Sequence, residues 1–163
     1  MKRTLKRILI VLLVAFIIIQ FIRPAKNISS TPSANDISTK YKVPEDVKNI
    51  LRTSCYDCHS NNTIYPWYAK VQPVAWWLDD HIKEGKRELN FSEFTSYSIR
   101  RQYSKLGEIN DQVKKNEMPI TSYLIIHRYA KLNDQQKSSI VAWATFLRDS
   151  IKANYPADSL KRK

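Results

Sequence analysis

Apolar positions fall into three regimes along the chain. Residues 8–22 are apolar except for Gln20. Residues 23–43 carry few large apolar side chains and are broken by Pro24, Pro32, Asn27, Asn35 and several serines, a composition that packs no element. Beyond Pro44, apolar residues recur at intervals of three and four, the spacing of helices with one buried face.

That spacing predicts a helical domain. Pro44-Glu45-Asp46 reads as a helix start, with acids in the first turn, and Val47, Ile50 and Leu51 follow on one face. A second helix is expected over 73–84, with Val74, Trp77, Leu78, His81 and Ile82 on one face and Gly85 as its stop. Ile99, Tyr103, Leu106, Asn110 and Val113 predict a third, ending near Asn116 before Met118-Pro119. A short helix is expected within 122–129. Asn133, with Gln136 three residues on, forms a capping box for a last helix whose buried stripe is Ile140, Trp143, Ala144, Leu147 and Ile151, and Pro156 ends it. No strand alternation and no internal repeat stand out.

Charge refines the N-terminal regime. Lys2, Arg3, Lys6 and Arg7 precede the apolar run. As a helix its fifteen residues rise about 22 Å, short of a hydrocarbon core of roughly 30 Å, although snorkelling of Lys6 and Arg7 extends the reach. No small-residue cleavage site or lipobox cysteine follows. Residues 1–22 are therefore expected to be an uncleaved signal anchor, a single transmembrane helix. The basic end then stays in the cytoplasm and the remainder lies on the outer, periplasmic side of the inner membrane. Residues 23–43 are expected to be a flexible linker, 44–152 the domain and 153–163 a mobile basic tail. The net charge of +12 is concentrated near the N-terminus: residues 1–43 hold eight Lys/Arg and one acid. This distribution argues for a membrane-flanking signal and a solvated surface rather than nucleic-acid binding. Two glycines exclude a glycine-rich phosphate loop.

The candidate chemistry is concentrated in Cys55-Tyr56-Asp57-Cys58-His59, which contains both cysteines of the chain. Cys-X-X-Cys-His is the attachment signature of a c-type haem. Two thiols three residues apart on one turn reach the two vinyl groups on one edge of a porphyrin, and the following imidazole reaches the iron as proximal ligand. Three other readings compete. A thioredoxin-type pair needs a βαβ setting. Zinc needs a close histidine pair, and His81 and His127 are far apart. A disulfide across so short a loop stabilises little. If the distal iron ligand is a thioether it must be Met118, the one methionine besides the initiator, presented by an extended Met-Pro loop. Core filler is the competing role for Met118. His81, on an apolar helix face, is the secondary candidate. His127 reads as structural or propionate-pairing. Trp67, Trp76, Trp77 and Trp143 suit either a pocket wall or an ordinary core.

Further stretches carry a resemblance: Tyr65-Pro66-Trp67-Tyr68, Pro73-Val74-Ala75-Trp76-Trp77-Leu78, Leu89-Asn90-Phe91-Ser92-Glu93-Phe94, and Glu117-Met118-Pro119 with Tyr123, His127, Ala130-Lys131-Leu132 and Trp143-Ala144. With the cysteine motif they resemble the bacterial haem-binding domain family of small, membrane-anchored CXXCH proteins over about residues 44–150. They are more distantly similar to class I cytochromes c, which carry a Met-Pro loop before the last helix. The resemblance implies covalent haem c with His59 proximal, but no substrate and no named partner. The expected fold is all-α: a small cytochrome c-like domain around one covalent haem, after an N-terminal transmembrane helix. The expected function is one-electron transfer with redox partner proteins at the membrane, an electron carrier rather than an enzyme. A haem enzyme or gas or redox sensor, with an open distal site and His81 as acid–base group, is the alternative. A zinc-stapled interaction domain is a third reading.

Overall fold

The structure, a computed structural model, describes residues 2–161. Arg162 and Lys163, the end of the expected basic tail, lie outside the described residues. Helix α1 spans Lys2–Ile19 and buries none of its side chains. No helix among the described residues is long and apolar enough to cross a membrane. This overturns the expected transmembrane helix at 1–22 and the single-pass inner-membrane placement that followed from it. The reason is local. Four of the first six residues of α1 are basic. Its apolar part, residues 8–19, rises only about 18 Å against the roughly 30 Å required. The helix does not continue through Ile22 because the chain is tied to the domain there. Gln72 N–H donates to Gln20 Oε1 at 2.9 Å, and Ile22 O accepts from Gln72 Nε2 at 2.8 Å and Trp76 Nε1 at 2.9 Å.

Residues 23–43 also touch the domain. Asn27 donates through Nδ2 to Ser60 O and Thr63 Oγ1, each at 2.9 Å, and Ile37 is fully buried in the main core. The domain proper comprises α2 (Glu45–Ser54), α3 (Tyr56–His59), α4 (Val74–Glu88), α5 (Ile99–Lys114), α6 (Thr121–Leu124), α7 (Asp134–Asn154) and α8 (Ala157–Leu160). No strand occurs among the described residues. Helices α5 and α7 pack along each other, α2 lies on α7, α3 on α4, and α8 on α5. Leu51, Phe91, Phe94, Leu106 and Ile140 are 0–1% exposed at their junction. Each such side chain contributes about 1.5–3 kcal/mol of transfer free energy.

Helix ends follow their local chemistry. The α7 capping box forms, with Gln136 N–H donating to Asn133 Oδ1 at 2.8 Å and Asn133 N–H to Gln136 Oε1 at 2.9 Å. The whole expected α7 stripe is buried. Gly85 does not stop α4, which runs on to Glu88. Helix α5 ends in a Schellman turn. Asn116 takes φ 58°, Glu117 N–H donates to Gln112 O at 2.9 Å, and Asn116 N–H to Val113 O at 3.2 Å.

Candidate functional site

The motif occupies the junction of α2 and α3. Cys55 closes α2, its N–H donating to Leu51 O, and opens the short turn that carries Cys58 and His59. Both cysteines are free and half-buried. Burial pushes the Cys55 thiol up to about 12 and the Cys58 thiol up to about 11. Such thiols stay protonated, the reverse of an activated redox cysteine or a metal-binding thiolate. Among the described residues no group of three His, Cys, Asp or Glu is arranged to hold a metal ion.

His59 is fixed from behind. Its Nδ1 lies 2.9 Å from Gly85 O and 2.9 Å from Leu89 O, at the C-terminal end of α4. A carbonyl only accepts, so Nδ1 carries the proton and Nε2 keeps its lone pair free. Burial holds the ring below the usual histidine range, which keeps it neutral. This alignment needs α4 to approach the motif closely, and Gly85 permits it. A Cβ at that position would stand 2.7 Å from Cys58 O. The sequence gives Gly85 only as a stop signal; its role as a contact surface appears in three dimensions.

All five residues singled out as candidates line one cleft open to solvent: Cys55, Cys58, His59, His81 and Met118. An adjoining cleft shares Cys55, His59 and Met118 and is otherwise walled mainly by apolar side chains, among them Leu51, Phe91, Ile109, Val113 and Ile140. Met118 projects from the loop after α5, where its N–H donates to Gln112 O at 3.3 Å. His81 lies on α4 one turn before Gly85, with Nδ1 2.9 Å from Trp77 O and its ring against Trp77. Lys105, at the second cleft, is the one lysine or arginine among the described residues lining either, and pairs with Glu88 at 3.2 Å and Glu108 at 2.6 Å.

His127 does not line either cleft. It is 6% exposed, stacked on Tyr123 and bonded to Tyr68 through Nε2 and to Tyr129 through Nδ1, so its surroundings are those of a structural histidine. None of the four tryptophans lines the clefts. Trp143 is buried in the main core, donating from Nε1 to Lys42 O, and Trp67 is 77% exposed. The residue the sequence reading passed over is Asp57, inside the motif. Its carboxylate accepts from Tyr123 Oη at 2.8 Å and Ile64 N–H at 3.0 Å, tying the turn to α6 and to the loop that follows the motif. Burial, then Asp57, raises the Tyr123 hydroxyl well above its usual value, so it remains a donor.

The model of the haem-binding domain family matches residues 14–145, well over half of the chain. The match starts inside α1 and includes residues 23–43, consistent with the contacts those residues make. No curated protein and no solved structure matches the chain. The chain belongs to the haem-binding domain family, and haem is its cofactor.

Proposed function

We propose that this chain is a monohaem c-type electron carrier, with haem bound covalently through Cys55 and Cys58, His59 as proximal ligand and Met118 as distal ligand. The supporting observation is that these four residues line one cleft while the Nδ1 of His59 is already engaged, leaving Nε2 for a metal. The donor set fits the group. Two neutral thiols on one turn suit addition to two vinyl groups. An imidazole and a thioether suit the two axial positions of iron in a largely apolar cleft. Bound there, haem supplies an iron that changes oxidation state by one electron.

The chain's own residues do the rest. Cys55 and Cys58 supply two fixed tethers, and one such motif provides for one haem. The carbonyls of Gly85 and Leu89 set the tautomer and plane of His59 and make its free nitrogen a stronger donor. A haem held by His59 would take its second ligand from the side of the cleft away from α4. Helix α4 backs His59, and His81 belongs to the same helix, which favours Met118 as the distal partner. Were the haem held by both His59 and Met118, its iron would have no position open to a substrate, which favours a carrier over a haem enzyme or sensor. Methionine ligation raises the reduction potential relative to a second histidine.

The test is expression with c-type haem maturation, followed by intact mass and optical spectra. The expected product carries one porphyrin and has no thiol open to alkylation. Met118→Ala is expected to keep that mass and lose the iron–sulfur charge-transfer band. Colourless protein with free thiols would sink covalent attachment, and an unchanged ligand field in Met118→Ala would reject the distal assignment.

A further inference from the structure

One face of the molecule combines apolar exposure, a basic rim and a short path to the cleft. Tyr123, a lining residue, stacks on His127 with ring centroids 4.2 Å apart and planes 7° apart. His127 Nδ1 is 2.7 Å from Tyr129 Oη, its Nε2 bonds Tyr68 Oη, and Tyr68 meets Trp67 edge-on at 5.9 Å. Around this buried hub the surface is apolar. Ile64 (74% exposed), Trp67 (77%), Ile125 (69%), Ile126 (58%) and Tyr129 (68%) come from two loops separated by more than fifty residues. Single exposed apolar residues are ordinary, but five converging from two loops on one hub form a patch that calls for a partner.

The charged side chains of the two loops are all basic, and Asp57, the carboxylate that meets the hub, is engaged by Tyr123 Oη and Ile64 N–H. Residues 64–78 and 118–133 contain no Asp or Glu. Lys70, Arg128 and Lys131 are exposed within them. A second copy of the chain would bring like charges together. An acidic surface with an apolar centre would be complementary.

We propose that this face, centred on Trp67, Ile126 and Tyr129 and rimmed by Lys70, Arg128 and Lys131, is the docking surface for an acidic redox protein. The proposal rests on the electron-carrier reading. A partner seated here would be separated from the cleft wall by a single layer of aromatic side chains. Small apolar contacts with a charged rim suit brief encounters, because the rim speeds association and the limited area allows release.

The experiment uses the full-length holoprotein and an acidic flavodoxin as probe. The reduced probe gives up one electron and the ferric iron takes it, followed by stopped flow, while calorimetry with oxidised probe measures binding. At low salt, Ile126→Asp and the double variant Lys70→Glu/Arg128→Glu are each expected to lower the second-order rate and the affinity about tenfold. Lys152→Glu, on the last long helix, is expected to change neither by more than about twofold, and salt should slow wild type towards the variants. Reduction by dithionite should be the same in all. Patch variants equal to wild type, an equal loss in Lys152→Glu, or no measurable binding of the probe would overturn the docking surface. So would patch variants that release the protein from anionic phosphatidylglycerol vesicles without altering the flavodoxin rate, which would assign the face to lipid. A haem that dithionite cannot reduce would instead overturn the carrier reading, and the redox nature of the partner with it.

Discussion

The two walls of the cleft are held by different means. On the His59 side, a side chain is clamped by two backbone carbonyls, and the helix supplying them rests on the motif through Gly85, where no side chain fits. On the Met118 side, the side chain projects from a loop located by backbone alone: the Schellman turn at Asn116 and the bond from Met118 N–H to Gln112 O. The first wall is set before any ligand arrives. The second can adjust by small loop movements. The geometry on the His59 side is built into the fold, and that on the Met118 side rests on one loop.

The contrast is sharpest at Gly85. Alanine in mid-helix normally gains about 1 kcal/mol over glycine. Here its methyl group would meet the Cys58 carbonyl at 2.7 Å, and backbone cannot swing aside. Gly85→Ala is expected to destabilise the protein by about 1–3 kcal/mol, as overpacking does, and to lower haem incorporation. Urea unfolding and the ratio of haem to protein absorbance measure the two effects. Wild-type behaviour would show that α4 can retreat from the motif, and the distinction between a rigid and an adaptable wall would fail.

Asn116 probes the other wall. Valine there is expected to lose about 1–2 kcal/mol, because a β-branched residue resists φ 58°. Glycine is expected to be neutral or slightly stabilising. If the loop positions Met118 as the proposed distal ligand, the valine variant is expected to alter the ligand band without changing the mass of the haem-loaded protein. A ligand band unmoved by Asn116→Val would mean that the loop does not depend on its cap.

The sequence is most informative where chemistry or periodicity is local. The α7 stripe, its capping box and the cysteine motif are read within a few residues of each other, and the structure shows the first two as expected. It is least informative where remote segments meet. Gly85 looks like a terminator because helix-ending and close-approach glycines have the same sequence signature. Asp57 looks like a spacer because its partners lie at Ile64 and Tyr123. Residues 23–43 look like a linker because one buried Ile37 and one well-bonded Asn27 give no periodic signal. The apolar run at 8–22 exceeds the helix it forms because Gln72 and Trp76, fifty residues away, capture the end of it.

A smaller effect concerns pH. Burial holds His127 below the usual histidine range. A depressed histidine favours the neutral form in the folded state, so its contribution is present above the unfolded value near 6.5 and is lost as pH falls below it. Stability is expected to decline from pH 7 to 5 by less than about 1.4 kcal/mol per unit, the slope of one proton. His127→Gln is expected to flatten that decline while lowering stability at pH 7, through loss of the stack on Tyr123 and the bond to Tyr68. An identical slope in the variant would assign the decline elsewhere.

Gly107 supplies the smallest effect and the control for the largest. It too is a helical glycine, buried in α5, and an added Cβ would also meet a neighbour closely, at 3.1 Å. The neighbour, however, is the guanidinium carbon of Arg148, the far end of a flexible side chain lying over the Tyr103 ring at 4.4 Å. A shift of a few tenths of an ångström relieves the contact, and the Arg148 Nε has no partner to lose by moving. Gly107→Ala is therefore expected to be neutral or to stabilise by up to about 1 kcal/mol from helix propensity, with the haem spectrum unchanged. If Gly107→Ala instead costs as much as Gly85→Ala, tight packing of any helical glycine explains both, and the Cys58 carbonyl loses its special standing in the rigid wall.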